Sequence, residues 1–146
     1  MGSLLGLAVG DALGTTVEFQ ARDSFSPVTD MVGGGVFRLA PGQWTDDTSM
    51  ALCIAASLVE TGAYDPRDQL ARFLRWYRDG YLSSTGRCFD IGNQTLTALG
   101  EFEATGEPYR TAAGGMSAGN GSLMRLAPVA MAFCDDVEAA GRFCAD

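Results

Sequence analysis

The chain has 146 residues and a formal net charge of −8, with ten arginines, no lysine and no histidine. Imidazole acid–base or metal chemistry, lysine Schiff bases, Walker-type phosphate loops and Ser-His-Asp or Cys-His sites are therefore excluded within the chain. An apolar content of 47% suits one globular domain, and a pI near 4.3 argues against a nucleic-acid-binding surface.

The N-terminal segment is apolar, but it lacks a basic n-region and reaches Asp11 too early for a signal peptide or membrane span. Gly2, Gly6, Gly10 and Gly14 recur every fourth residue and share one helix face. Such a stripe weakens a helix but lets another helix, or a ligand, approach its backbone. Residues 20–44 read as a long irregular stretch broken by Pro27, Gly33 to Gly35, Pro41 and Gly42, with a weak strand signal at Val36–Leu39.

The next helix is well marked: Thr45 as N-cap, Asp46 and Asp47 in the first turn, Gly62 at its end. It is apolar over much of its surface, which predicts a central position. Asp65 and Pro66 open a further helix whose apolar face is Leu70, Phe73, Leu74 and Tyr77; Arg67, Arg72, Arg75 and Arg78 are expected mostly to face water. Another helix is expected from about Asp90 to Thr105, closed by Gly106. The stretch 108–121 is glycine-rich and irregular. A helix from about Ser122 to Phe133, kinked by Pro128, and a last amphipathic piece from about Asp135 complete a mostly helical chain. Cys53, Cys88, Cys134 and Cys144 show no CxxC spacing and are expected to be reduced, mostly buried thiols in a cytoplasmic protein.

Four constellations could carry chemistry. Thr45-Asp46-Asp47-Thr48 offers only oxygen donors, which suit a hard cation such as Mg²⁺, or it is a capping run. The loop from Gly114 to Ser122 could present N–H groups to phosphate, with Ser117, Asn120 or Ser122 adding side-chain bonds, or it is simply flexible. Asp11 and Glu18, seven apart, could orient a water or a substrate hydroxyl, or be solvated charges. Arg125, between apolar residues, is either paired with a carboxylate or in contact with a ligand.

Four segments occur in a particular order: GSLLGLAVGDALGTTVEF at 2–19, GQWTDDTSMAL at 42–52, DIGNQTLTAL at 90–99 and GNGSLMRLAPVA at 119–130. Together they resemble the ADP-ribosylglycohydrolase family of the dinitrogenase-reductase-activating type, across essentially the whole chain. The resemblance implies an all-α, multi-helix fold with a binuclear Mg²⁺ or Mn²⁺ centre, and hydrolysis of the glycosidic bond between ADP-ribose and a protein side chain or small acceptor. It implies metal ligands at Thr45, Asp46 and Asp47, and catalytic carboxylates at Glu18 and Asp47. Substrate contacts carry onto Asp11, Gly92, Ser117, Gly119, Asn120, Gly121, Met124 and Arg125. Family members continue further, to a second ligand group in an Asp-x-Asp-Thr/Ser motif that the present 146 residues lack. Residues 1–146 are thus expected to be the N-terminal part of such a domain. A non-catalytic ADP-ribose-binding module is the alternative reading.

Overall fold

The computed structural model describes residues 2–109 and 120–145. Six α-helices run in order: α1 Gly2–Gly14, α2 Asp46–Thr61, α3 Pro66–Asp79, α4 Asn93–Thr105, α5 Ala127–Ala132 and α6 Val137–Ala145. Short 3-10 turns at Thr15–Val17 and Leu123–Arg125 follow α1 and precede α5. No strand forms among the described residues; Gly34 and Leu39 make one isolated antiparallel bridge. The strand signal at Val36–Leu39 thus resolves as a turn. Val36 to Arg38 lie in the turn that the Gly34–Leu39 bridge closes, where Gly35 and Arg38 take positive φ, so only Leu39 pairs.

α2 is the centre, as its apolar surface predicts. It packs against α1, α3, α5 and the 123–125 turn. The core is Met50, Cys53 and Ile54 from α2, Phe73 and Trp76 from α3, Leu99 from α4 and Val129 from α5. The helix ends follow the local chemistry. Asp65 caps α3 by accepting from the N–H groups of Arg67 and Asp68, and Gly62 closes α2 in the left-handed region at φ 70°. Gly80 closes α3 in the same way. A Cβ there would press into the Gly86 carbonyl, so the turn requires glycine.

Other sequence expectations change as well. Arg72 is buried rather than solvated. Its guanidinium holds Asp68 at 2.6 Å and Glu60 at 2.9 Å, because its place on α3 faces the C-terminal end of α2. The helix expected from Asp90 starts at Asn93 instead: Asp90 sits at φ 58° and Gly92 is the N-cap. Residues 122–133 do not form one kinked helix. Pro128 lies in the first turn of α5, where its missing N–H costs nothing. The glycine stripe packs against no helix; a Cβ at Gly2, Gly6, Gly10 or Gly14 would meet nothing within 4 Å. On the same helix Leu5 and Val9 are 61% and 51% exposed.

No helix among the described residues is long and apolar enough to cross a membrane. All four cysteines are free, but only Cys53 is fully buried. Burial pushes its thiol up to about 12, against the opposing pull of Arg72 and Arg75. Cys134 is exposed. A thiol-reactive dye at pH 8 is expected to label Cys134 first and Cys53 only after denaturant is added; fast labelling of Cys53 in the folded chain would contradict this packing.

Candidate functional site: a carboxylate cleft at the start of α2

An α-helix leaves its first N–H groups without partners. Thr45 stands at the N-cap of α2, as the sequence predicts, but its side chain makes no cap bond. Asp11, from α1, takes that role. Its carboxylate accepts from the Thr45 N–H at 3.0 Å, the Thr45 hydroxyl at 2.8 Å, the Thr48 N–H at 3.1 Å and the Thr48 hydroxyl at 2.6 Å. The substrate contact expected of Asp11 therefore meets a carboxylate whose two oxygens are already committed to α2. This bond set fixes α1 against α2 and sets the site's geometry.

A cleft of about 330 Å³ opens beside it. Gly10 and Gly14 line it from α1, together with Glu18 and Asp47. Successive residues on a helix point about 100° apart, so Asp46 and Asp47 diverge. Asp47 lines the cleft, while Asp46 is only 7% exposed and has Asp90 as its strongest charged neighbour.

The carboxylates raise one another's pKa. Burial, then Asp90 and Asp47, push Asp46 up to about 8. Burial, then Glu18, Asp47 and Asp11, push Asp90 up to about 6. Asp47 is raised by burial and then by Asp11. Glu18 is raised by burial, partly offset by a 3.4 Å bond from the Thr15 hydroxyl. Asp11, Glu18, Asp46, Asp47 and Asp90 thus form one acidic cluster. Asp90 is the member that sequence reasoning missed, because it was read as the opening residue of a helix. The signal available was the DIG triplet, an acidic residue just before a glycine N-cap.

The other expected site residues are dispersed. Gly92 caps α4, and a Cβ there would meet nothing within 4 Å. Met124 packs against the core. Asn120 and Gly121 lead into the 123–125 turn, where the Asn120 carbonyl accepts from Leu123 at 3.0 Å. Ser117 and Gly119 lie outside the described residues. Arg125 has no ion pair among the described residues. It lies over the Phe73 ring at 5.2 Å and touches the Met50 sulfur at 3.5 Å. Burial lowers its pKa, with Asp46 opposing. With Gln69 and Tyr64 it lines a second cavity, of about 540 Å³.

Carboxylates that raise one another's pKa are the donor type a hard divalent cation binds. The number of donors falls short: among the described residues no three His, Cys, Asp or Glu side chains are placed to hold a metal ion. Thr45, Asp46 and Asp47 fit a metal in chemistry and supply only part of a coordination shell.

Two outcomes follow from this geometry. Asp11→Ala is expected to destabilise the chain by about 2 kcal/mol, from a lost cap and two stranded N–H groups; urea denaturation measures it, and an unchanged midpoint would show that α2 does not depend on the clamp. The folded pKa of Asp46 lies above its unfolded value of 3.8. Its burial therefore costs no stability below pH about 4 and progressively more up to about 8, at no more than about 1.4 kcal/mol per pH unit. In the presence of a chelator, Asp46→Asn is expected to raise the melting temperature at pH 8 and leave it nearly unchanged at pH 4. An equal effect at both pH values would contradict the shift.

The comparisons with known proteins agree with one another. The family model described as ADP-ribosylglycohydrolase matches residues 1–146. The chain is similar to the ADP-ribosylarginine hydrolase Tri1 of Pseudomonas putida (strain GB-1), 54% identical over 130 residues, covering 89% of this chain and 35% of that protein. It is 38% identical over 136 residues to the ADP-ribosyl-[dinitrogen reductase] glycohydrolase of Rhodospirillum rubrum, covering 90% of this chain and 44% of the relative. A solved structure titled an ADP-ribosylglycohydrolase-related protein complex superimposes with a TM-score of 0.81 at 47% identity, covering 99% of this chain and 46% of that one. The chain thus spans less than half the length of these relatives. By family match, sequence identity and helical fold alike, it belongs to the ADP-ribosylglycohydrolase family.

Proposed function

We propose that this chain forms the N-terminal part of a metal-dependent hydrolase that releases ADP-ribose from a modified protein side chain or a small conjugate. The observation that carries the reading is the clustering of five carboxylates around the start of α2, in a chain of this family. In this reading Thr45, Asp46 and Asp47 hold Mg²⁺ or Mn²⁺, and the remaining ligands come from a C-terminal half of the length the relatives carry. The exposed face of α1, with Leu5 and Val9, is where that half would pack. The four unpaired thiols favour a reducing compartment, the cytoplasm.

The bound cation supplies Lewis acidity at the sugar. The chain's own groups do the rest. Glycoside hydrolysis develops positive charge at the anomeric carbon, and the carboxylates lining the cleft stabilise it. Glu18, whose pKa is raised by burial, is placed to hold or accept the proton of the attacking water at its carboxylate. Asn120 and Gly121, with Ser117 and Gly119, would cradle the pyrophosphate and ribose.

In the complete domain, Asp46→Ala or Asp47→Ala is expected to abolish metal-dependent release of ADP-ribose, by roughly a hundred-fold or more. Unchanged turnover in both variants would overturn the metal assignment. The second reading is a binding module without catalysis, for which the described residues alone supply only part of a metal shell. Titrating the 146-residue chain with ADP-ribose, with and without Mg²⁺, separates the two: binding without turnover in any completed form supports the module.

A further inference from the structure

The arginines carry all the formal positive side-chain charge in this acidic chain, and most are accounted for. All but Arg110 lie in the described residues. Arg67 pairs with Glu107, Arg72 with Glu60 and Asp68, Arg78 with Glu103, and Arg22 loosely with Asp23. Arg75, Arg125 and Arg142 lie over the rings of Tyr81, Phe73 and Phe143. Only Arg38 and Arg87, among the described residues, have neither an ion pair nor a ring contact. They come from loops 49 positions apart in sequence, yet both line one pocket of about 240 Å³.

The pocket is held in place by its own loops. The Gln43 side chain donates to the Ser84 carbonyl at 3.0 Å, and the Ser84 hydroxyl donates to the Trp44 carbonyl at 2.6 Å. The Ser83 hydroxyl donates to the Arg87 carbonyl at 2.6 Å. Arg38 sits at φ 55°, a conformation that costs a residue with a Cβ about 1 kcal/mol or more and that recurs at ligand-binding positions. A row of rings connects the pocket with residues next to two members of the acidic cluster. Phe19, which follows Glu18, meets Phe37 at 6.3 Å, and Phe37 meets Phe89, which precedes Asp90, at 5.3 Å. Phe37 and Phe89 also line the arginine pocket.

We propose that Arg38 and Arg87 form a docking pocket for an acidic side chain of the protein that carries the ADP-ribose, close in sequence to the modified residue. This rests on the de-ADP-ribosylation reading above. A guanidinium matches a carboxylate with two parallel hydrogen bonds. In a chain of charge −8, an unpaired arginine pair is also where an acidic partner would be steered rather than repelled. The partner's own carboxylates favour this position over the cleft itself, which is lined by like charge. The rings of Phe19, Phe37 and Phe89 lie between the two.

The test uses the 146-residue chain and a fluorescein-labelled peptide with a Glu-Glu-Asp-Glu run, read by anisotropy at low salt. The control is the same peptide with Gln and Asn. The chain is expected to bind the acidic peptide and not the control. The double variant Arg38→Ala, Arg87→Ala is expected to bind it about ten-fold more weakly, with unchanged circular dichroism, since both side chains are exposed. Equal binding by the variant, or no binding by the parent chain, overturns the proposal. ADP-ribose, titrated in parallel, is expected to bind parent and variant alike. A parallel loss in the variant would assign the pocket to the nucleotide's phosphates and overturn the protein-docking proposal. If ADP-ribose binds neither protein while the peptide result holds, the acidic-side-chain pocket stands, and the de-ADP-ribosylation reading is decided separately by turnover of the Asp46→Ala and Asp47→Ala variants of the complete domain.

Discussion

The site depends on one carboxylate placed where a helix begins. Asp11 takes the N–H groups of Thr45 and Thr48 and both of their hydroxyls. The residue at the N-cap of α2 is thereby freed from its usual task, and the cap comes from a neighbouring helix. Everything else in the cleft is referred to that contact. Glu18 follows α1, and Asp46 and Asp47 open α2; the clamp ties these two sets together. A small displacement of α1 along α2 would separate Glu18 from Asp47.

A second constraint is electrostatic. Gathering Asp11, Glu18, Asp46, Asp47 and Asp90 around the start of α2 is unfavourable for the chain alone, as the upward shifts of Asp46 and Asp90 reflect. The positive end of the α2 dipole offsets part of that repulsion. The remainder is unrelieved repulsion among these carboxylates, which any nearby positive charge would lessen. The rest of the molecule is built conventionally around a central apolar helix, with arginines of α3 tying it to α2 and α4.

Much of this was legible in the residues. The limits of α2 and α3 followed from Thr45, Gly62, Asp65 and Pro66, because caps and terminal glycines act within a few residues of themselves. The acidic pair and Glu18 stood out for the same local reason. Other features were not legible. Arg72 looked like one more solvent-facing charge, since nothing on its own helix reveals that Glu60 lies across from it. Asp90 looked like a helix opener, since its left-handed backbone is imposed by the loop around it. The glycine stripe suggested packing against a helix, and only the arrangement of the described helices shows that its face is left open.

The sequence by itself determined the helical class, the central helix, the acidic chemistry and the family, because periodicity, capping and motif order are properties of neighbouring residues. Tertiary structure alone decided which carboxylate caps and which line the cleft, that Asp90 joins them, and that Arg38 and Arg87 share one pocket. Those assignments depend on distances between residues far apart in the chain. Asp11 meets Thr45 and Arg38 meets Arg87 only because packing around α2 brings their segments together.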